Sequence, residues 1–418
     1  MTSAKPRLHF GFLVILTYTL TSFCPLSFGL SCAGIFYPSL AAHLGVGTGI
    51  LSYYTSILWL AALLTLPFLG KLVSKLDARI CTCGAIVLVA ADLLVMSQTF
   101  AIWQFFVCAF VMGIGIAMLL YLLPSTLINR WFSKRAGFYI GIAMAFTGIG
   151  GVIWSSVGGV IINSYGWSAA YIFFAIVTLC TLPFGWLCVR SYPADKGLLP
   201  HGYEGDADAS ATPAQEGMSA AEAFKTPAFR RIMVLAFLIN FGMYFYFVIP
   251  SYISTLPISV SMPLLGATAA SAAMAGQTIV KVLLGYVGEK HTGLATAVAT
   301  GLGLVGIVLF LVGGTSPIVL YIAAFLFGFE YGVTNVMMPI YTRKSFGTAD
   351  YANIYSRISM VCSVGSITTG FIWGTVVQVT GSYVPMAIGL IVVLALGVVA
   401  ALMAGASADT AQKSWSAR

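Results

Sequence analysis

The sequence predicts an all-α membrane protein of twelve transmembrane helices in two pseudo-symmetric six-helix bundles. Three observations carry that prediction: scarce charge, the number and length of the apolar runs, and a constant offset at which the chain repeats itself. Of 418 residues, 59% are hydrophobic and only 8% charged, where soluble domains average about 25% charged. A soluble protein of this size could not cover its surface with so few charges. A soluble enzyme, a disordered chain and a secreted disulfide scaffold are all excluded.

Crossing a bilayer core of roughly 30 Å takes about 20 apolar residues in a helix. Twelve runs qualify. In the first half they are Phe10–Phe36, Ile50–Leu69, Ile80–Met96, Ile102–Leu123, Phe138–Ile161 and Ala169–Val189. In the second they are Ile232–Ile253, Leu264–Val287, Leu294–Val312, Pro317–Tyr341, Ile354–Val379 and Val384–Met403. The first follows Lys5 and Arg7 in the manner of a signal peptide, but it is too long for one and more spans follow, so it reads as an uncleaved helix.

Charge placement supports the count. With both termini in the cytoplasm, 18 of the 20 Lys and Arg fall on cytoplasmic segments, and the external loops carry none. This positive-inside pattern explains the net charge of +8 by topology and contact with anionic headgroups of the lipid bilayer, without a nucleic-acid partner. It points to a multi-pass protein of the cytoplasmic (inner) membrane.

The long polar stretch 190–230 separates six runs from six, giving an N-terminal bundle over 1–190, a cytoplasmic linker over 191–230 and a C-terminal bundle over 231–418. The linker centre, from Glu204 to Glu216, is acidic and rich in small residues, as flexible linkers are. Ser219 and Glu222 have capping-box spacing and predict a short amphipathic helix. A shift of 215 residues superposes Gly70 on Gly285, Pro124 on Pro339, Gly150 on Gly365, Gly159 on Gly374 and Gly166 on Gly381. One offset across several spans means internal duplication. Span five is glycine-rich around Gly148-Ile-Gly-Gly151; it and span eleven are read as tight packing or as the hinge seam between halves.

After the second run stands Gly70-Lys-Leu-Val-Ser-Lys75-Leu-Asp77-Ala-Arg79, and after the eighth Gly285-Tyr-Val-Gly-Glu289-Lys290. Both resemble the cytoplasmic gate motif of the major facilitator superfamily, a Gly followed four residues later by an acid and then a base. The first copy departs from it, with Ser74 in the acid's place and Asp77 where Gly is usual, so the salt-bridge latch would rest on Asp77. Asn129-Arg130-Trp-Phe-Ser-Lys134-Arg135 resembles the loop after span four of the oxalate/formate antiporter and monocarboxylate transporter branch. Tyr165-Gly-Trp167 and Tyr192-Pro-Ala-Asp195-Lys-Gly are similar to stretches of such permeases. The resemblance implies two parallel six-helix repeats with the site between them near mid-membrane.

Four ionisable residues fall inside runs: Asp92, Lys281, Glu330 and Arg357. Each costs roughly 2.5–3.5 kcal/mol on insertion scales, so each is expected to be paired or functional. Asp92, near the outer end of a peripheral span, reads as a structural hydrogen bond. Lys281 either snorkels to the inner surface or faces a cavity. The branch resemblance implies the second, because a cation at this position before the gate Gly binds the substrate carboxylate. The acid that partners that cation one turn earlier in the monocarboxylate branch is here Gln277. Glu330, mid-span, pairs with Lys281 or Arg357, carries a coupling proton, or meets a cationic substrate. Arg357 lines the cavity or snorkels. Tyr121, Asn240 and Tyr244 are expected to complete the site, with Tyr246 and Asn335 as further candidates.

Eight Cys, none in a CxxC, and four His in tails or loops give no basis for a metal site, disulfide framework or other cofactor. No GxxxxGK[ST] loop is present, so ATP does not drive the chain directly. The expectation is a monomeric secondary transporter, not an enzyme. It moves a small organic anion, a carboxylate, by alternating access, as proton symport or anion exchange. Efflux of amphipathic drugs or sterol-like acids, driven through Glu330, is the alternative. A non-transporting membrane sensor is the reading from another class, and the short linker and tail give it no signalling domain.

Overall fold

The computed structural model describes residues 9–46, 48–51, 53–203, 216–262 and 264–416. The linker centre, 204–215, lies outside them, as do Lys5, Arg7 and Arg418. Among the described residues twelve helices are long and apolar enough to cross a membrane. Spans 1 to 6 are Gly11–Ser31, Tyr53–Lys75, Ala78–Met96, Ile102–Trp131, Ala136–Tyr165 and Trp167–Cys188. Spans 7 to 12 are Pro227–Ser254, Leu265–Val287, Thr292–Val312, Pro317–Phe346, Tyr351–Thr380 and Val384–Ser416. Helices are the form required, because hydrocarbon offers no partner to a free backbone N–H or C=O.

Several ends differ from those expected. Span 4 continues to Trp131, span 10 to Phe346 and span 12 to Ser416. Hydropathy marks only the part of a helix inside hydrocarbon; beyond it, runs such as Ala404 to Ala411 continue on intrinsic helix propensity. These extensions project from the face that carries the described Lys and Arg of the loops, here called the basic face. The opposite, neutral face has no Lys or Arg in its described loops.

Prolines shape the helices near the middle. Wide, π-type turns occupy Ser22–Ser31 around Pro25 and Ala117–Leu122 just before Pro124, where the ring removes a donor and crowds the preceding turn. Span 7 is broken between Gly242 and Phe245. The carbonyl of Phe241 at the break accepts from Thr369 Oγ1 at 2.6 Å and Trp373 Nε1 at 3.3 Å, both on span 11, so the freed group is not left bare.

The repeat is visible in packing. Gly150 of span 5 lies against Phe23 and Ser27 of span 1, and its counterpart Gly365 of span 11 lies against Phe237 and Asn240 of span 7. Gly166 and Gly381 both end their helices at positive φ, +87° and +65°, conformations that favour glycine. The halves meet along two seams, span 8 on span 5 and span 2 on span 11.

The linker is tied to both halves on the basic face. His201 pairs with the end of span 4 through His201 N–H to Trp131 O, 2.8 Å, and Ser133 N–H to His201 O, 3.1 Å. Met218 N–H donates to Phe346 O at 2.9 Å and Thr348 N–H to Glu216 O at 2.7 Å, beyond span 10. The capping box at Ser219 and Glu222 is formed, but the helix it starts is one turn long, Ala220–Ala223.

Candidate functional site

A cavity of about 310 Å³ lies between the halves at mid-membrane. Ser31, Trp59, Tyr121 and Thr147 wall it from the first half; Asn240, Tyr246, Gln277, Tyr331, Thr334 and Asn335 wall it from the second. It rises toward the neutral face past Gly34, Phe247 and Pro250.

Lys281 is fully buried beneath it. Its Nζ donates to Gln277 Oε1 at 2.8 Å, one turn back on span 8, and to Thr147 Oγ1 at 2.7 Å on span 5. Gln277 Nε2 in turn donates to Tyr246 Oη at 2.8 Å. The Tyr246 ring stacks on Tyr331 at 4.1 Å, and Lys281 Nζ lies 5.9 Å from the Tyr331 ring centre. The ammonium thus touches neutral partners only, and no carboxylate lies within ion-pair distance of it among the described residues. Burying an unpaired charge is expensive. The arrangement leaves Lys281 buried with hydroxyl and amide partners alone.

Tyr121, Asn240 and Gln277 stand where the sequence reading put them, along the cavity. Three expectations are corrected. Glu330 does not line the cavity and pairs with neither Lys281 nor Arg357. It is fully buried inside the second bundle, its stem against Gly303 of span 9 and Oε1 facing Gly242 at the break in span 7. Thr300 is its polar neighbour, yet neither carboxylate oxygen completes a hydrogen bond. The next residue, Tyr331, takes the cavity position, because one residue turns a helix by about 100°. Arg357 is exposed on the outer surface of span 11, its Nη1 4.0 Å from Met360 Sδ one turn further along the helix. Tyr244 turns away from the cavity toward Gly370 and Gly374 of span 11. Its place is taken by Tyr246, because the break in span 7 resets the helical phase. Asp92 is buried beside Cys108, with Oδ2 lacking a partner.

Below the cavity the basic face is sealed. Gly141 of span 5 packs on the carbonyl of Lys281, and a Cβ at Gly285 would come within 2.6 Å of Gly137 O. Glu289 Oε1 accepts the Gly137 N–H at 2.6 Å. Arg343 of span 10 crosses the seam to Asn129 Oδ1 and to the carbonyls of Phe132 and Ser133 at 2.8–3.1 Å. Gly70 rests on Ser356 of span 11. Asp77 does not latch the halves: it pairs with Arg79 at 2.7 Å within its own loop and caps span 3. That guanidinium, chiefly by hydrogen bonding, holds the Asp77 carboxyl below the usual range. Lys75 and Lys290 are exposed, and Arg130 lies 4.6 Å over the Tyr192 ring.

Sequence reading missed Thr147, Tyr331 and Arg343. Thr147 precedes the Gly148-Ile-Gly-Gly151 stretch, and a lone hydroxyl on a small-residue helix face was the available signal. Arg343 looked like one more inside-positive charge.

Comparison with known proteins bears on this geometry. The family model described as Major Facilitator Superfamily matches residues 19–369. A solved structure of the proton:xylose symporter XylE bound to 6-bromo-6-deoxy-D-glucose is similar at TM-score 0.68 and 14% identity, over 97% of this chain and 99% of that one. FucP in the outward conformation matches at TM-score 0.65 and 14% identity, over 95% and 98%. The human organic anion transporter MFSD10 (TETRAN) matches at TM-score 0.68 and 14% identity, over 97% and 100%. At these identities the likeness shows the fold. Multidrug resistance protein MdtG of Escherichia fergusonii is 26% identical over 156 residues, 37% of this chain and 38% of that protein. The match thus spans under two fifths of that relative's length.

Proposed function

The chain belongs to the major facilitator superfamily of secondary transporters, and from that premise we propose that its cargo is a small organic anion bearing a carboxylate. The observation that carries the proposal is Lys281: a buried ammonium under the cavity, held by Thr147 and Gln277 without a counterion. The cargo carboxylate supplies the missing charge. Tyr121, Tyr246, Asn240 and Asn335 shape the rest of the pocket. Both halves contribute walls, so a monomer completes the site. The positive-inside pattern supports cytoplasmic termini and residence in the cytoplasmic membrane, which puts the cavity on the outer side of a closed cytoplasmic gate.

Glu330 is the coupling group in this reading. A carboxyl whose two oxygens lack partners is stable in such a site as the neutral acid. It sits behind the break of span 7, whose other side walls the cavity, so cargo and proton are felt by one bent helix. Transport is then proton symport; anion exchange is what remains if the proton plays no part.

The test is uptake of labelled mono- and dicarboxylates into proteoliposomes, with and without a pH gradient. Lys281→Ala is expected to lower carboxylate transport roughly 30-fold or more, the effect of removing one side of a buried charged contact; normal transport would sink the anion site. Glu330→Gln is expected to abolish acceleration by the gradient while leaving exchange. Undiminished acceleration would remove the proton from Glu330.

Proton-driven efflux of amphipathic compounds is the second reading. The partial match to a multidrug resistance protein and the aromatic walls favour it. It predicts that Lys281→Ala keeps its activity while the cavity aromatics do not tolerate truncation.

A further inference from the structure

A pocket of about 230 Å³ lies in the seam on the basic face, apart from the central cavity and beside a wider opening of about 660 Å³ with which it shares Asn129, Arg130, Tyr192 and Thr348. It is lined by Ser74 in the last turn of span 2, by Thr126, Asn129 and Arg130 of span 4, by Tyr192, and by the chain from Thr348 through Asp350 into the first turn of span 11 at Tyr351 and Ala352. Two of its buried groups are left without partners. Asn129 is 6% exposed and Thr126 2%, and Asn129 Nδ2 and Thr126 Oγ1 have no hydrogen-bond partner. Arg130 stacks on Tyr192 and has no carboxylate at ion-pair distance among the described residues. Span 11 runs for 30 residues from this point, and its N-cap Asp350 makes no side-chain capping bond. Both Asp350 oxygens are used elsewhere, Oδ2 by the Ala220 N–H at 3.0 Å and Oδ1 by the Asn353 side chain. The first-turn N–H groups and the positive end of a long helix dipole therefore open on the pocket.

One lining residue says what is missing. Ser74 holds the position at which the gate motif ordinarily has an acid, while the duplicate copy keeps Glu289. Glu289 is engaged, accepting a backbone N–H across the other seam. Ser74 Oγ donates back to Lys71 O at 2.8 Å and offers no charge.

We propose that this pocket binds a small oxyanion, of phosphate or carboxylate type, from the solution on the basic face. The anion stands in for the absent carboxylate at Ser74. It accepts from Arg130, Asn129, Thr126 and the start of span 11, joining the two halves and stabilising the state in which the basic face is shut. The transporter's gate thereby responds to oxyanions on that face, whatever its cargo.

The test is thermal unfolding of the purified full-length protein, titrated with inorganic phosphate or with acetate at constant ionic strength. A ligand at several times its Kd that binds only the folded state should raise Tm by roughly 1 °C in a chain this long, and by about 3 °C at roughly a hundred times its Kd. Ser74→Asp should raise the baseline Tm and cut the anion response at least about fivefold, the carboxylate now being built in. Arg130→Gln should cut the response without raising the baseline, and it keeps the proposal testable if Ser74→Asp does not fold. Lys281→Ala should retain the full response. A response to phosphate identifies a free inorganic anion as occupant, and a response to acetate a cargo-like carboxylate; either supports the site. Three results would overturn it: no response to either anion, a full response in both Ser74→Asp and Arg130→Gln, or loss of the response in Lys281→Ala, which would place the anion in the central cavity.

Discussion

Where span 8 meets span 5, backbone rests on backbone: Gly141 on the Lys281 carbonyl, Gly285 on the Gly137 carbonyl. Where span 2 meets span 11, Gly70 also faces a backbone carbonyl, Ala352 O at 3.0 Å from the place a Cβ would occupy, but Ser356 stands where the first seam has Gly141, with its Oγ at 2.7 Å and its Cβ at 2.8 Å. The first seam carries the buried ammonium and an acid, Glu289, that bridges the halves; the second has Ser74 at the acid's position and an open pocket beside it. The duplicated contact thus appears once as a rigid seam that holds buried Lys281 and once as a softer seam with Ser74 at the acid's position. The difference locates tolerance to change. Backbone carbonyls have no rotamer to yield in either seam; in the second the contacts are a few tenths of an ångström longer and the Ser356 hydroxyl can rotate.

The comparison breaks most readily at Gly141. Gly141→Val places two methyl groups against the Lys281 carbonyl, and overpacking of this kind costs about 1–3 kcal/mol. The shut state of the basic face should lose roughly tenfold or more in population. Spin-label distances between positions 71 and 290 would show it as a second, longer distance; an unchanged distribution would mean that the seam is not rigid. Next comes Glu289→Gln, which keeps the shape but removes the charge from a short hydrogen bond. It should shift the same equilibrium by a few-fold, since charge-assisted bonds are about twice as strong as neutral ones.

Gly70→Ala tests the softer seam. Rotation of Ser356 relieves only its hydroxyl, while its Cβ and the Ala352 carbonyl stay, at distances a few tenths of an ångström longer than the contact at Gly141; transport should therefore fall about twofold to threefold, and Ser356→Gly in the same chain should restore most of it. If Gly70→Ala were as harmful as Gly141→Val, the two seams would be equivalent after all. The smallest effect belongs to Asp77, whose ion pair stays within one loop. Its carboxyl is held below its ordinary value of 3.8 by Arg79, so the pair contributes stability above that value and loses it as pH falls through the lowered one. Asp77→Asn should therefore lower Tm by roughly a degree at pH 7, with the gap from wild type closing as pH drops below about 4. A gap independent of pH would assign the effect to the helix cap.

Lys281 was legible because its position relative to the gate glycine Gly285 is fixed along one helix, four residues or about 6 Å of rise. Gln277, one turn earlier, followed from the same helix. Glu330 was not legible in the same way. A charge in mid-span announces that it needs an environment, but not which of the surrounding helices provides it. The structure turned it inward to Gly303 and Gly242 and gave the cavity to Tyr331. Arg357 and Tyr244 failed for the same reason.

The twelve spans, the gathering of basic loops on one face and the 215-residue repeat were determined by sequence alone, because each depends on properties read along the chain: hydropathy, charge at the ends, and spacing. Helix phase against neighbours, the break in span 7 that exchanges Tyr244 for Tyr246, and the meeting of Thr147 with Lys281 across 134 positions of chain were decided by tertiary structure. Lipid is equally apolar on every side of a helix, so packing between helices, and not hydropathy, chose which face of each span looks into the cavity.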